Sequence, residues 1–210
     1  MKRYEHNEEK WIFPFVEYSP LEKKDNLPLI IQLHGAGERG AGNDELFKVD
    51  VHGFSEYLKD AQKDCIVIMP QCPVNTFWAA RVESIIRFVE QLTEEYSVDK
   101  DRVYLTGLSM GGYGTWFSAM ASPKLFAAIA PVCGGGMAWN AAVLKKIPIW
   151  AFHGAEDAVV SPTQSDEMVA KLQALGANIR YSRIEGVGHN VWENAYTEEL
   201  FEWLLSNKRK

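Results

Sequence analysis

The 210-residue sequence predicts an α/β fold: a mostly parallel central sheet with helices on both faces. Two observations carry that prediction. Short runs of consecutive apolar residues alternate with stretches of helical periodicity, as strands buried on both faces alternate with crossover helices. Several of the apolar runs stop abruptly at glycine-bearing turns, where open α/β sheets place their sites. No Pro/Gly/Ser-rich linker interrupts the pattern, so it reads as one domain over residues 1–210.

Residues 11–18, aromatic and β-branched, read as a strand, and Pro14 favours a sheet edge. Residues 19–27 form a polar loop. Leu29 to Leu33 is a buried-strand run that stops at His34-Gly35-Ala36-Gly37. Residues 54–63 have helical spacing, and residues 65–70 form the next buried strand. Val82, Ile85, Ile86, Val89 and Leu92 recur at three and four, predicting an amphipathic helix over 79–96. A strand at 102–106 leads into Gly107-Leu108-Ser109-Met110-Gly111 and a helix over 113–120. Strands follow at 127–132 and 147–152. A helix over 162–175 opens with Ser161 as N-cap and Pro162 in the first turn. A strand over 178–184 and a helix over 194–205 complete the chain. The 133–146 connection is too short for a separate lid domain, which predicts an open site.

The net charge of -6 disfavours nucleic acid and anionic membranes as partners. The basic run Lys208-Arg209-Lys210 reads as a solvated tail. Residues 1–10 are charged and lack an apolar core, and no stretch reaches the roughly 18 apolar residues of a membrane span. A cytoplasmic location, with no signal peptide visible, is the expectation, and a secreted mature domain is the alternative. The three cysteines, Cys65, Cys72 and Cys133, are odd in number and loosely spaced, which fits neither a disulfide framework nor a zinc site. They read as buried structural thiols, the latter two after strand ends and so close to where a site would form. No metal and no cofactor are expected.

Gly107 to Gly111 fits G-x-S-x-G between a strand and a helix, the context that makes the pattern meaningful. Its turn leaves no room for side chains beside the serine and exposes the Ser109 hydroxyl at a helix N-terminus. A hydroxyl needs a base to act as a nucleophile. Among the five histidines, His6 reads as solvated, His52 as a surface group, and His34 and His153 as buried groups shaping strand-end turns. His189, in the flexible stretch Glu185-Gly186-Val187-Gly188-His189-Asn190, is the candidate base. The acid must precede it in chain order, which leaves Glu156 and Asp157, with Asp157 preferred; the structural alternative is a turn or capping aspartate. The developing oxyanion needs backbone donors: the N–H of Met110 and that of Ala36 or Gly37 in the loop His34 to Gly40. A phosphate-binding role for this loop is excluded by the missing Lys-Ser/Thr pair. Trp78 and Trp192 are candidates to line the substrate pocket, against the alternative of plain packing.

In this order, His34-Gly35-Ala36-Gly37, Gly107-Leu108-Ser109-Met110-Gly111-Gly112-Tyr113-Gly114-Thr115-Trp116, His153-Gly154-Ala155-Glu156-Asp157 and Gly188-His189 resemble α/β-hydrolase serine esterases. The resemblance is to the phospholipase/carboxylesterase and dienelactone-hydrolase-like branch, near feruloyl esterases, acetyl-xylan esterases and polyhydroxybutyrate-depolymerase-like proteins. It implies the α/β-hydrolase fold, a Ser109-His189-Asp157 triad, an oxyanion hole at Ala36, Gly37 and Met110, and an aromatic near the site at Trp78. Dienelactone hydrolases proper use cysteine where this chain has Ser109, so the resemblance implies carboxylic-ester hydrolysis through an acyl-enzyme. Short-chain or aryl, feruloyl-type esters are the expected substrates, small or polymer-attached. Rival readings are a prolyl-oligopeptidase-like serine peptidase, a thioesterase or lysophospholipase, and a catalytically inactive binding protein.

Overall fold

The computed structural model describes residues 1–22 and 24–209, with the side chain of Asp60 outside the description. Eight strands form one sheet in the order β1-β2-β4-β3-β5-β6-β7-β8. They are β1 (Lys2–His6), β2 (Phe15–Ser19), β3 (Leu27–Leu33), β4 (Ile66–Pro70), β5 (Val98–Leu108), β6 (Ala128–Val132), β7 (Ile149–Gly154) and β8 (Ile179–Ile184). Pairing is antiparallel for β1–β2 and β2–β4 and parallel across the rest.

The helices are α1 (Ser55–Asp60), α2 (Val82–Glu95), α3 (Met110–Ala121), α4 (Thr163–Ala174), α5 (Trp192–Ala195) and α6 (Glu198–Ser206). Every residue of β3 is buried, and its side chains alternate between two cores. Leu29, Ile31 and Leu33 pack with Ile85 and Phe88 of α2, Trp116 of α3 and Met168 of α4. Ile30 packs with Leu58 of α1 and with Leu200, Phe201 and Leu204 of α6 on the opposite face. The chain therefore has the α/β-hydrolase architecture with helices on both faces. Between β6 and β7 lies only a short 3-10 turn, Ala138–Leu144, set against α3 and α4, with no separate lid domain.

Several local expectations are corrected. The strand expected over 11–18 starts at Phe15, and β2 is not the edge. The charged segment Lys2–His6 is the edge strand, pairing from Lys2↔Ser19 to His6↔Phe15. An edge strand needs no apolar face, and its charges discourage edge-to-edge association. Pro14 precedes β2, and its carbonyl accepts the Gln71 N–H. The loop expected over 19–27 contains Lys23, which lies outside the described residues, and ends early because Leu27 already pairs with Val98. That same pairing extends β5 back through a charged stretch without apolar signal. Ser161 does not cap α4; its hydroxyl bonds the Thr163 hydroxyl at 3.1 Å. The last helix is broken into α5 and α6 at Tyr196 and Thr197, where the Thr197 side chain accepts from the Leu200 N–H. His6 is not solvated: it stacks on Phe15 and bonds Glu17 at 2.8 Å. The basic tail is pinned rather than free, because Arg209 bonds Asp101 and the Lys124 carbonyl; Lys210 lies outside the described residues.

Candidate active site

The carboxyl ends of β3, β5, β6, β7 and β8 bring together the loops that carry the candidate residues. Ser109 sits between β5 and α3 with φ 52° and ψ −114°, in the left-handed half of backbone space that a side chain tolerates only under constraint. The constraint is visible in its neighbours. A Cβ on Gly107 would stand 2.5 Å from the Gly111 carbonyl oxygen, and one on Gly111 would meet the carbonyl oxygens of Leu33 and His34. Glycine at both positions lets β5, the turn and the end of β3 close on one another.

The Ser109 hydroxyl lies 3.0 Å from His189 Nε2, and His189 Nδ1 lies 2.7 Å from Asp157 Oδ2. Asp157 is the acid that meets the histidine, while Glu156 points to solvent. The other Asp157 oxygen, Oδ1, accepts the N–H groups of Val159 and Val160, each at 2.9 Å. Burial works to raise the Asp157 carboxyl, but the bonds from His189, Val160 and Val159 outweigh it and hold the group below its ordinary value. The acid and histidine loops are tied by Ala155 N–H to Ile184 O and Glu156 N–H to Val187 O.

Residues Ala36–Glu38 form a single 3-10 turn beside this trio. A Cβ on Gly35 would lie 3.8 Å from Ser109 Cβ, whereas one on Gly37 would meet nothing within 4 Å, so Gly37 borders open space. Arg39 clamps the turn: its guanidinium donates to the carbonyls of Ala36, Val74 and Thr76. Met110 opens α3 directly after Ser109. His34 beneath the turn accepts the Cys72 N–H at Nε2, so its proton sits on Nδ1, against the Gly35 carbonyl at 2.6 Å. Burial lowers the His34 pKa to about 4 and keeps it neutral.

The two tryptophans separate. Trp78 is fully buried; its indole N–H donates to the His34 carbonyl at 3.0 Å, and its ring packs against Phe13 and His34. It underlies the turn and lines no open surface, a correction to its expected place. Trp192 is half-buried, edge-on to His189 with ring centres 5.4 Å apart, and also packs against His52 at 5.2 Å. His52 is thus part of the site's wall rather than an isolated surface group. The buried indole nitrogen of Trp192 meets no acceptor among the described residues.

Two neighbours of the acid were given no role there by the sequence reading. Cys133, at the end of β6 with φ 40°, has its sulfur within 4.8 Å of the Asp157 and His189 donor atoms. Its position after a strand end was the only signal. The three donors could in principle face a soft cation, but both His189 nitrogens are engaged, and burial pushes the Cys133 thiol up to about 12. With both His189 nitrogens so engaged, the donor set fits the hydrogen-bonded trio better than a metal centre. The second neighbour, His153, contacts Asp157 Oδ2 at 3.3 Å. All three cysteines are free and buried, as expected.

Fold and site together define an α/β-hydrolase of the esterase type. A profile of the phospholipase/carboxylesterase family matches residues 75–199, and the chain belongs to that family. It is similar to the bifunctional acetylxylan esterase/xylanase XynS20E of Neocallimastix patriciarum, 27% identical over 158 residues, covering 70% of this chain and 22% of that one. It is also similar to poly(3-hydroxyalkanoate) depolymerase C of Paucimonas lemoignei, 26% identical over 190 residues, covering 69% and 44% of the two chains. Among solved structures, a thermostable esterase superposes with a TM-score of 0.83 at 32% identity, covering 99% of this chain and 63% of that one. The chain therefore spans less than half the length of these two curated relatives. Among the described residues no helix is long and apolar enough to cross a membrane.

Proposed function

We propose that this chain hydrolyses carboxylic esters through an acyl-enzyme on Ser109. The observation that carries the reading is the relay of 3.0 Å from Ser109 Oγ to His189 Nε2 and 2.7 Å from His189 Nδ1 to Asp157. With Nδ1–H donated to the carboxylate, Nε2 presents its lone pair to the hydroxyl, the tautomer a general base requires. Ser109 Oγ attacks the ester carbonyl as His189 takes its proton. The N–H of Met110, with that of Ala36 or Gly37, receives the oxyanion. His189 then protonates the departing alcohol, and water, deprotonated by the same imidazole, releases the acid. This scheme requires no metal or organic cofactor.

The substrate class we favour is a short acyl or aryl ester attached to a bulky or polymeric alcohol. The short β6–β7 connection supplies no lid over the site, and two relatives are named for acetylxylan and polyhydroxyalkanoate chemistry. Hydrolysis of a 4-nitrophenyl ester series from acetate to long acyl chains, with ferulate included and Ser109→Ala run alongside, tests the reading. Turnover by the wild type that drops by at least about 10³ in the variant is the expected result. Equal rates in both, or activity confined to peptide anilides or thioesters, would overturn it.

A further inference from the structure

We infer that His153 is a positioning residue for Asp157, whose Nε2–H holds the acid loop at the Val160 carbonyl and lies against the acid's Oδ2, fixing the carboxylate for His189. The inference rests on the ester-hydrolase reading, and its physical basis is a proton count. His153 lies near the end of β7 and is fully buried. Its Nε2 stands 2.9 Å from the Val160 carbonyl oxygen and 3.3 Å from Asp157 Oδ2. A carbonyl oxygen has no proton to give, so Nε2 must carry one; it is donated to the Val160 carbonyl, and Oδ2 lies beside it in close electrostatic contact. On the other side, Nδ1 lies 2.7 Å from Ser165 Oγ, which also lies 2.8 Å from the Gly134 carbonyl. Whichever way the single Ser165 proton turns, the requirement at Nε2 is unchanged.

The Asp157 carboxylate is thereby held at both oxygens. Oδ1 takes the N–H groups of Val159 and Val160, and Oδ2 takes His189 Nδ1–H and faces His153 Nε2–H. These partners come from the acid loop, the histidine loop and β7, while Ser165 links the same imidazole to α4 and to the chain after β6. Two effects follow. The carboxylate cannot rotate away from His189. The His153 N–H dipole beside Oδ2 also offsets negative charge there, which moderates its pull on a protonated His189. Besides His189 and His153, the titratable groups facing the acid are Cys133 after β6 and Tyr113 on α3, whose hydroxyl feels the Asp157 charge.

The test compares wild type, His153→Leu and His153→Gln on a 4-nitrophenyl ester. Leucine fills the volume without a donor, and glutamine keeps an N–H near the Nε2 position. The leucine variant is expected to lose about tenfold or more in kcat with KM little changed. The acid limb of its kcat/KM profile is expected to move to higher pH, because an unshared Asp157 favours the imidazolium. The glutamine variant should recover most of both. A folded leucine variant with unchanged kcat and pH limb would overturn the inference, as would a glutamine variant no better than leucine at equal thermal stability. Should leucine fail to fold, 15N-histidine NMR of the wild-type chain decides: a protonated Nε2 on His153, perturbed by Asp157→Asn, supports the inference, and an unprotonated Nε2 overturns it. Failure of the ester-hydrolase reading itself shows separately, as absence of Ser109-dependent turnover in the wild type.

Discussion

Asp157 accepts His189 Nδ1–H on one oxygen at 2.7 Å and two backbone N–H groups on the other, so the acid loop holds the carboxylate before it holds the histidine. Asp157→Asn keeps the shape but offers an amide N–H toward His189, favouring the wrong tautomer. Ester turnover should fall by about 10³–10⁴ with the fold retained.

The same substitution has a pH signature in stability. The Asp157 value is depressed in the folded state, so its contribution is complete above the ordinary carboxylate value and is lost as pH falls through the depressed one. Urea midpoints of wild type and Asp157→Asn should differ most near neutrality and converge below about pH 4. A constant gap across that range would show that the carboxylate charge does not stabilise the fold.

Gly111→Ala places a methyl group against the carbonyl oxygens of Leu33 and His34, both backbone atoms that cannot rotate away. Destabilisation of about 1–3 kcal/mol is expected, with loss of activity as the turn is pushed off Ser109. Thermal melting and 4-nitrophenyl acetate turnover, measured together, check both.

Trp78 and Trp192 should behave oppositely. Trp78→Phe removes the indole bond to the His34 carbonyl inside the core and should cost about 1 kcal/mol or more of stability. Trp192→Ala, on the wall beside His189, should leave stability closer to wild type and shift KM and acyl-chain preference. A KM profile moved by Trp78→Phe and untouched by Trp192→Ala would reverse these assignments.

Cys133 is buried, and its thiol is pushed up to about 12. Iodoacetamide at pH 8 should leave it unmodified in the folded protein and label it only after denaturation, as mass spectrometry of the Cys133 peptide can show. Rapid labelling of native protein would mean that the site opens more than the structure indicates.

The layered architecture was legible because its signals are local. Buried runs such as Leu29 to Leu33 and the helical spacing of Val82 to Leu92 act over one element at a time. Lys2–His6 was not legible, since an edge strand of charged residues has no apolar pattern, and its pairing with β2 exists only in the sheet. The break at Tyr196 and Thr197 was hidden by continuous periodicity on either side.

The sequence by itself determined the G-x-S-x-G turn and the glycine-rich loop after β3, because sterics over a few residues impose them, and it displayed the serine, acid and histidine candidates in chain order. Tertiary structure decided the rest. It selected Asp157 over Glu156, sank Trp78 beneath the Ala36–Glu38 turn, stood Trp192 beside His189, and set Cys133 and His153 against the acid. The decisive contacts join residues 80 and 32 positions apart in the chain. Which side chains meet at such separations depends on how parallel strands stack their carboxyl ends, and no local pattern encodes that register.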